Sequence, residues 1–337
     1  MKKKILNKSL GYLKSLIFPA VIYAVFAIIA ACIGKSSSFF SAYTTDKIFR
    51  ESVASTLIGI AVAVPLSGGR WDFATGTIPT LGGIIGMNLC IMLHAPLIVG
   101  VIFTVGICVL LAVFEGFLYL VLRVPNMIVS LGVVMLYEAL TSILFDGQGV
   151  NILNEENSYA ESLGKLYEAP WCYILLAVAL IICTYLLYYT KFGADSKSLG
   201  GNARLAIAAG VNEKRNIILQ YVFIGVLLGF AAVLTASKNK ISAASNLTST
   251  SLMFSSMGPV LVGLFLERYS SIPYGVFVGS IGFNIISYGL SAFNVDGSIQ
   301  TIITGVAIIL ILTYTANEAT IKNVIRNTFL PKKKEAR

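Results

Sequence analysis

Ten long apolar runs, set apart by short polar breaks, govern what this chain can fold into. Crossing ~30 Å of hydrocarbon takes about 20 mostly apolar residues in a helix. Runs of that kind lie at roughly 15–34, 53–68, 73–91, 96–122, 126–145, 171–190, 217–237, 251–266, 273–291 and 298–316. The second and eighth are short. Composition agrees: 56% of the residues are hydrophobic and 12% are charged, against about 25% charged in soluble domains. A disordered protein is excluded and a soluble enzyme disfavoured. The expectation is one all-α polytopic membrane domain over 1–337 with about ten transmembrane helices.

Charge sets the orientation. With the N-terminus in the cytoplasm, ten spans return the C-terminus there. Inside segments then hold 19 of the 25 Lys and Arg, and outside segments hold Lys35, Lys47, Arg50, Lys165, Lys238 and Lys240. That bias is the positive-inside pattern, so the net charge of +9 reports topology and not nucleic-acid binding. Met1-Lys2-Lys3-Lys4 ahead of an apolar run has the look of a signal peptide, and Ile29-Ala30-Ala31-Cys32 that of a lipoprotein cleavage box. The run is as long as a full span, so an uncleaved first helix is expected.

Chemistry is sparse. The five cysteines sit in or beside apolar runs with no CxxC pair, so neither a disulfide framework nor a zinc site is expected. The one histidine, His94, has no second ligand nearby, which excludes HExxH and disfavours a His-based triad. Gly34-Lys35-Ser36 has the tail of a GxxxxGK(S/T) phosphate loop, but Ile29 stands where the first glycine belongs. No metal, no cofactor and no enzyme activity are expected on this chain.

Two polar segments interrupt the spans. Residues 146–170 form the largest outside loop, with Asp146, Glu155, Glu156, Glu161 and Glu168 against Lys165. Residues 191–216 form the largest inside loop and are basic. Within it Asn202 is a good helix N-cap and Gly210 a good C′ residue. The residues between them, mostly apolar or alanine, predict a two-turn cytoplasmic helix too apolar to lie alone in water. Such a helix wants a groove on a partner or the inner face of its own protein.

The same stretch resembles the coupling loop of permeases in ABC importers of the ribose and simple-sugar type. The matching residues are Thr190-Lys191-Phe192-Gly193, Gly200-Gly201-Asn202 and Ala209-Gly210-Val211-Asn212, at the family's spacing. Ser67-Gly68-Gly69-Arg70-Trp71-Asp72-Phe73-Ala74-Thr75-Gly76 is similar to another family segment, with about one residue inserted before Asp72. Val124-Pro125-Asn126-Met127-Ile128-Val129-Ser130-Leu131-Gly132 and Asp146-Gly147-Gln148 are similar to two more. The resemblance runs from about 55 to 315. Two stretches depart from it: the turn after the eighth span has a single glycine, Gly263, where the family is glycine-rich, and Glu138-Ala139 stands where the family tends to Arg-Gly.

The resemblance implies an ATP-binding subunit, an extracellular or periplasmic solute-binding protein, a second permease subunit and a bacterial cell membrane. It implies a sugar or nucleoside as solute. It makes Gly200, Gly201, Asn202, Arg204, Leu205, Ala206, Ala209 and Gly210 candidates for ATPase coupling. Candidates for the translocation path are Gly69, Asp72, Glu115, Asn126 and Glu138. Glu115 and Glu138 lie deep in spans, where a carboxylate is costly and usually faces a cavity or a partner. Three readings stand for them: a structural hydrogen bond or ion pair, a polar wall of the path, or a proton relay. The last would make the chain a self-sufficient secondary transporter or channel. Arg70 and Asp72, amid glycines, read as a kinked or re-entrant element or as tight helix packing.

Overall fold

The computed structural model describes residues 10–35, 39–152 and 165–329. Much of the acidic 146–170 loop, with Glu155, Glu156 and Glu161, and the lysine-rich ends at 1–9 and 330–337 lie outside the described residues. The described residues form helices and no strand. One isolated antiparallel bridge joins Val150 to Ile241.

The helices in chain order are α1 (Ile17–Ile33), α2 (Ala42–Ser67), α3 (Thr77–Met92), α4 (Leu97–Leu122), α5 (Asn126–Ile143), α6 (Trp171–Tyr189), α7 (Lys191–Ala208), α8 (Glu213–Ala236), α9 (Thr250–Leu266), α10 (Ile272–Ala292) and α11 (Gly297–Phe329). All but α7 overlap expected spans, with α2 starting well before position 53 and α11 running on past position 316 to Phe329. Among the described residues nine helical stretches are long and apolar enough to cross a membrane, and α9, at 17 residues, is shorter. The chain is an all-α polytopic membrane protein. His94 lies exposed between α3 and α4.

The second span corrects the sequence reading. It begins at Ala42 and runs 26 residues, well before position 53. Four charges, Asp46, Lys47, Arg50 and Glu51, hide its first three turns from a hydropathy reading. The structure accommodates them by pairing: Arg50 Nε meets Asp46 at 2.8 Å, and Lys238 pairs with Glu51. Ser41 caps the start, its hydroxyl accepting the Thr44 N–H at 3.0 Å. The eighth span is short, as its length in sequence indicates, because the eight residues before it are not helical.

Helices α2, α3, α8 and α10 are the most enclosed; α1, α4, α6 and α11 lie at the periphery. The main apolar core joins α2, α3, α4, α5 and α8 around Leu57, Ile78, Tyr137 and Tyr221. A second cluster joins α1, α10 and the start of α2 around Phe26, Phe39 and Ile48. The turn after α9 has no run of glycines. It is tied instead by Glu267, which accepts the Tyr188 hydroxyl at 2.9 Å and pairs with Lys197 of α7.

Candidate functional site: a coupling segment and two broken spans

Three segments depart from straight spans, and they touch one another. The first is α7. Its backbone breaks at Asn202 (φ −158°, ψ 99°), and the Asn202 side chain accepts the Leu205 N–H at 3.1 Å. That is the N-cap its residue type favours. A short helix follows and closes in a Schellman turn: Gly210 N donates to Ile207 O at 2.9 Å and Val211 N to Ala206 O at 3.1 Å. Gly210 takes φ 90°, the left-handed value that favours glycine at C′.

The candidates on this segment divide by exposure. Gly201, Asn202, Arg204, Leu205, Ala209 and Gly210 are exposed. Leu205 keeps 68% of its surface open and Ile207 keeps 47%. Ala206 is buried against its own chain. The apolar helix is therefore half committed to the protein itself, with Leu205 and Ile207 left free.

The second segment, 68–76, links α2 to α3. Here the structure brings Gly69 and Gly200 together: a Cβ on Gly69 would lie 3.5 Å from the Gly200 carbonyl. A Cβ on Gly200 would lie 2.2 Å from the Ser67 carbonyl, so only glycine lets α7 sit this close to the end of α2. Beyond the contact a buried polar chain runs inward. Ser196 of α7 hydrogen-bonds Asn216 at 3.2 Å and accepts from Gln220 Nε2 at 2.9 Å. Gln220 in turn accepts from buried Arg70.

Asp72, also buried, starts the climb to α3. Its Oδ1 accepts the Ala74 N–H at 2.9 Å, opening a 3₁₀ turn at Ala74–Gly76, and its carboxyl lies beside that of Glu115. Asn126 holds the same segment, donating to Trp71 O at 2.9 Å and accepting the Tyr221 hydroxyl at 3.0 Å. Asp72, Glu115 and Asn126 thus converge, buried within the subunit.

The third segment, 242–249, links α8 to α9 from the opposite end of the bundle. Its backbone is non-helical, yet it reaches the level of Glu138, about 18 Å along α5 from Asn126. Backbone at that depth must find partners within the protein, and α5 supplies them. The Glu138 carboxylate accepts Leu247 N at 2.7 Å, Ser249 N at 2.8 Å and the Ser249 hydroxyl at 2.6 Å. Thr141 Oγ1 accepts Ala244 N at 3.0 Å. Glu138 therefore stands apart from the other path candidates.

The two broken segments meet. Thr77 and Ser249 hydroxyls lie 2.6 Å apart, and a Cβ on Gly76 would lie 2.5 Å from the Ser249 carbonyl. Two hollows open beside the junction. One of about 260 Å³ is lined by residues that include Ile58, Thr80, Thr235, Lys240, Ser242 and Thr248. The other, about 570 Å³, runs between α9, α10 and α11 past Thr250, Ser255, Phe254, Ser287, Gln300 and Thr304, with no charged side chain. Sequence reasoning missed Ser196, Gln220, Thr77 and Ser249, because small hydroxyl and amide residues inside spans carry no motif. Among the described residues no three His, Cys, Asp or Glu side chains are grouped to hold a metal.

A family model described as branched-chain amino acid transport system / permease component matches residues 44–312. The chain belongs to this permease family. It resembles the galactose/methyl galactoside import permease proteins of Escherichia coli K12, 26% identical over 325 residues, covering 90% of this chain and 95% of the relative, and of Haemophilus influenzae, 23% identical over 321 residues, 90% and 94%. It also resembles the ribose import permease protein of Escherichia coli K12, 20% identical over 291 residues, 85% and 90%. No solved structure matches the chain. The protein is thus a multi-pass permease subunit of an ABC importer in the cytoplasmic membrane and not an enzyme. Permeases of this class work with an ATP-binding subunit and a solute-binding protein. The self-sufficient transporter built on Glu115 and Glu138 gains no support.

Proposed function

We propose that this permease passes a neutral sugar, pentose or hexose, and that α7 couples the path to a cytoplasmic ATP-binding subunit. The observation that carries the coupling is the backbone contact of Gly200 with Ser67–Gly69. It joins an element with free apolar side chains to the broken segment that lines the interior. An ATPase groove that took Leu205, Ile207 and Ala209 would move α7, and α7 bears directly on residues 67–69. Arg204, exposed beside them, suits a polar groove edge. ATP chemistry and its cofactors belong to that partner and not to this chain.

The solute class follows from the hollow between α9 and α11. Hydroxyl and amide groups with an aromatic ring and no charge suit a polyhydroxy solute. A zwitterionic amino acid, the solute class for which the family is described, would ask for charged partners. A second permease subunit, the same or a different chain, completes the path in this reading. In this reading Asp72 and Asn126 hold the inner broken segment in shape, with Glu115 buried beside Asp72, and Glu138 holds the outer one. Positive-inside charge puts both termini and α7 in the cytoplasm.

Co-purification tests the coupling. The full chain is expressed with its neighbouring genes and isolated in mild detergent. A stoichiometric ATP-binding protein is expected, lost on Leu205→Glu with Ile207→Glu while the permease stays folded. A homo-oligomer with no ATPase would sink the reading. Sugar competition in reconstituted uptake tests the solute: block by leucine and not by galactose or ribose would overturn the sugar.

A further inference from the structure

Helix α7 grips the bundle at more than one place. Gly200 meets Ser67–Gly69. Lys197 stands three residues before Gly200, on the same face of the helix. It pairs with Glu267, in the turn between α9 and α10. The same carboxylate oxygen accepts the hydroxyl of Tyr188, at the end of α6, at 2.9 Å. Tyr188 extends the contact. Its oxygen accepts the Ile272 N–H, at the start of α10, at 3.0 Å, and its ring centre lies 4.2 Å from the Lys197 ammonium. The ends of α6, α9 and α10 are thereby tied to α7 through one carboxylate.

The turn leads to the larger hollow. Helix α9 continues through Pro259 from Leu266 back to Thr250, a length of ~26 Å. Its far end presents Thr250, Phe254 and Ser255 to the hollow of about 570 Å³. Helix α10 lines the same hollow with Ser287. The two helices are pressed together beside the turn: a Cβ on Gly275 would lie 2.9 Å from the Gly263 backbone. A displacement of the turn therefore carries both.

We propose that Lys197 and Glu267 form a second coupling link, through which α7 moves α9 and α10 while the Gly200 contact moves residues 67–69. Both are positioning residues, since neither lines the hollow. The link rests on the coupling of α7 to an ATP-binding subunit.

Thiol labelling tests it on the full chain with its co-purified ATP-binding subunit, in a Cys32→Ser background. Ser255→Cys, on the hollow side of α9, is labelled with and without ATP and vanadate. The nucleotide should change the labelling rate about tenfold, a usual size for coupling between two sites. Lys197→Met should shrink that change to about threefold, a loss of ~0.7 kcal/mol, as suits a partly exposed pair. The ATP-binding subunit should stay bound and the thermal midpoint should hold. Lys197→Arg should restore the full change. Glu267→Gln, whose amide oxygen still accepts from Tyr188, should match Lys197→Met, and the double variant should be no worse than either. Three outcomes would overturn the link with the subunit bound: no nucleotide effect at Ser255→Cys, a full effect in Lys197→Met, or losses that add in the double variant. A wild-type preparation with no ATP-binding subunit would sink the coupling role of α7 itself, and the link with it.

Discussion

Glu138 is the residue whose chemistry the tertiary structure settles most fully. Its carboxylate is the acceptor for two backbone N–H groups and one hydroxyl of the 242–249 segment. Leaving a buried donor unmet costs about 1–3 kcal/mol, so Glu138→Ala should lower the thermal unfolding midpoint together with uptake. Glu138→Gln should also lose stability, because an amide offers one acceptor oxygen where the carboxylate offers two. A proton relay would behave otherwise: the glutamine variant would stay as stable as wild type and lose only transport. Gly200 makes a second residue-scale prediction. Its missing side chain is what lets α7 touch Ser67, and overpacking costs about 1–3 kcal/mol. Gly200→Ala should cut uptake about tenfold, near the ~1.4 kcal/mol that factor represents. At Gly201 a Cβ would meet nothing within 4 Å, and Gly201→Ala should transport normally.

At the scale of the element, α7 is two helices joined at Asn202, and its second half depends on local caps. Replacing an Asn cap with Ala costs about 1 kcal/mol. In Asn202→Ala, amide exchange over 203–208 should therefore quicken about fivefold, while Asn202→Asp should leave it unchanged. An exchange rate that does not move in Asn202→Ala would mean that packing of Ala206, and not the cap, holds this turn. The caps were legible in the sequence because Asn202 and Gly210 act on backbone groups within five residues. The division of the helix into a buried Ala206 and free Leu205 and Ile207 was not legible. All three are apolar, and only the docking of α7 on the rest of the chain distinguishes them.

For the whole molecule, the arrangement is two broken spans that enter from opposite ends and meet at Thr77 and Ser249, with α7 pressed on the foot of one. Its orientation in the membrane is open to direct test. In a Cys32→Ser background, which removes the one exposed native thiol, Ala208→Cys should react with an impermeant thiol reagent only from the cytoplasmic side. Ser298→Cys, at the opposite end, should react only from outside. The reverse labelling would invert the coupling proposal along with the topology.

The sequence by itself indicated about ten apolar helices, of which nine among the described residues are long enough to span a membrane, the helix cap at Asn202, and the resemblance to a permease family. Each depends on properties local to the chain: apolar length, cap chemistry and motif spacing. It understated the second span, whose Asp46 and Arg50 pair within the helix and whose Glu51 pairs with Lys238, just past the end of α8. Only the tertiary structure decided what the buried polar residues do. Glu138 meets its partners 109 and 111 positions away, Arg70 meets Gln220 150 positions away, and Gly69 meets Gly200, which is far from it in sequence. Such contacts form because non-helical backbone inside a bilayer must be satisfied by the protein, and which side chains satisfy it depends on how the helices pack.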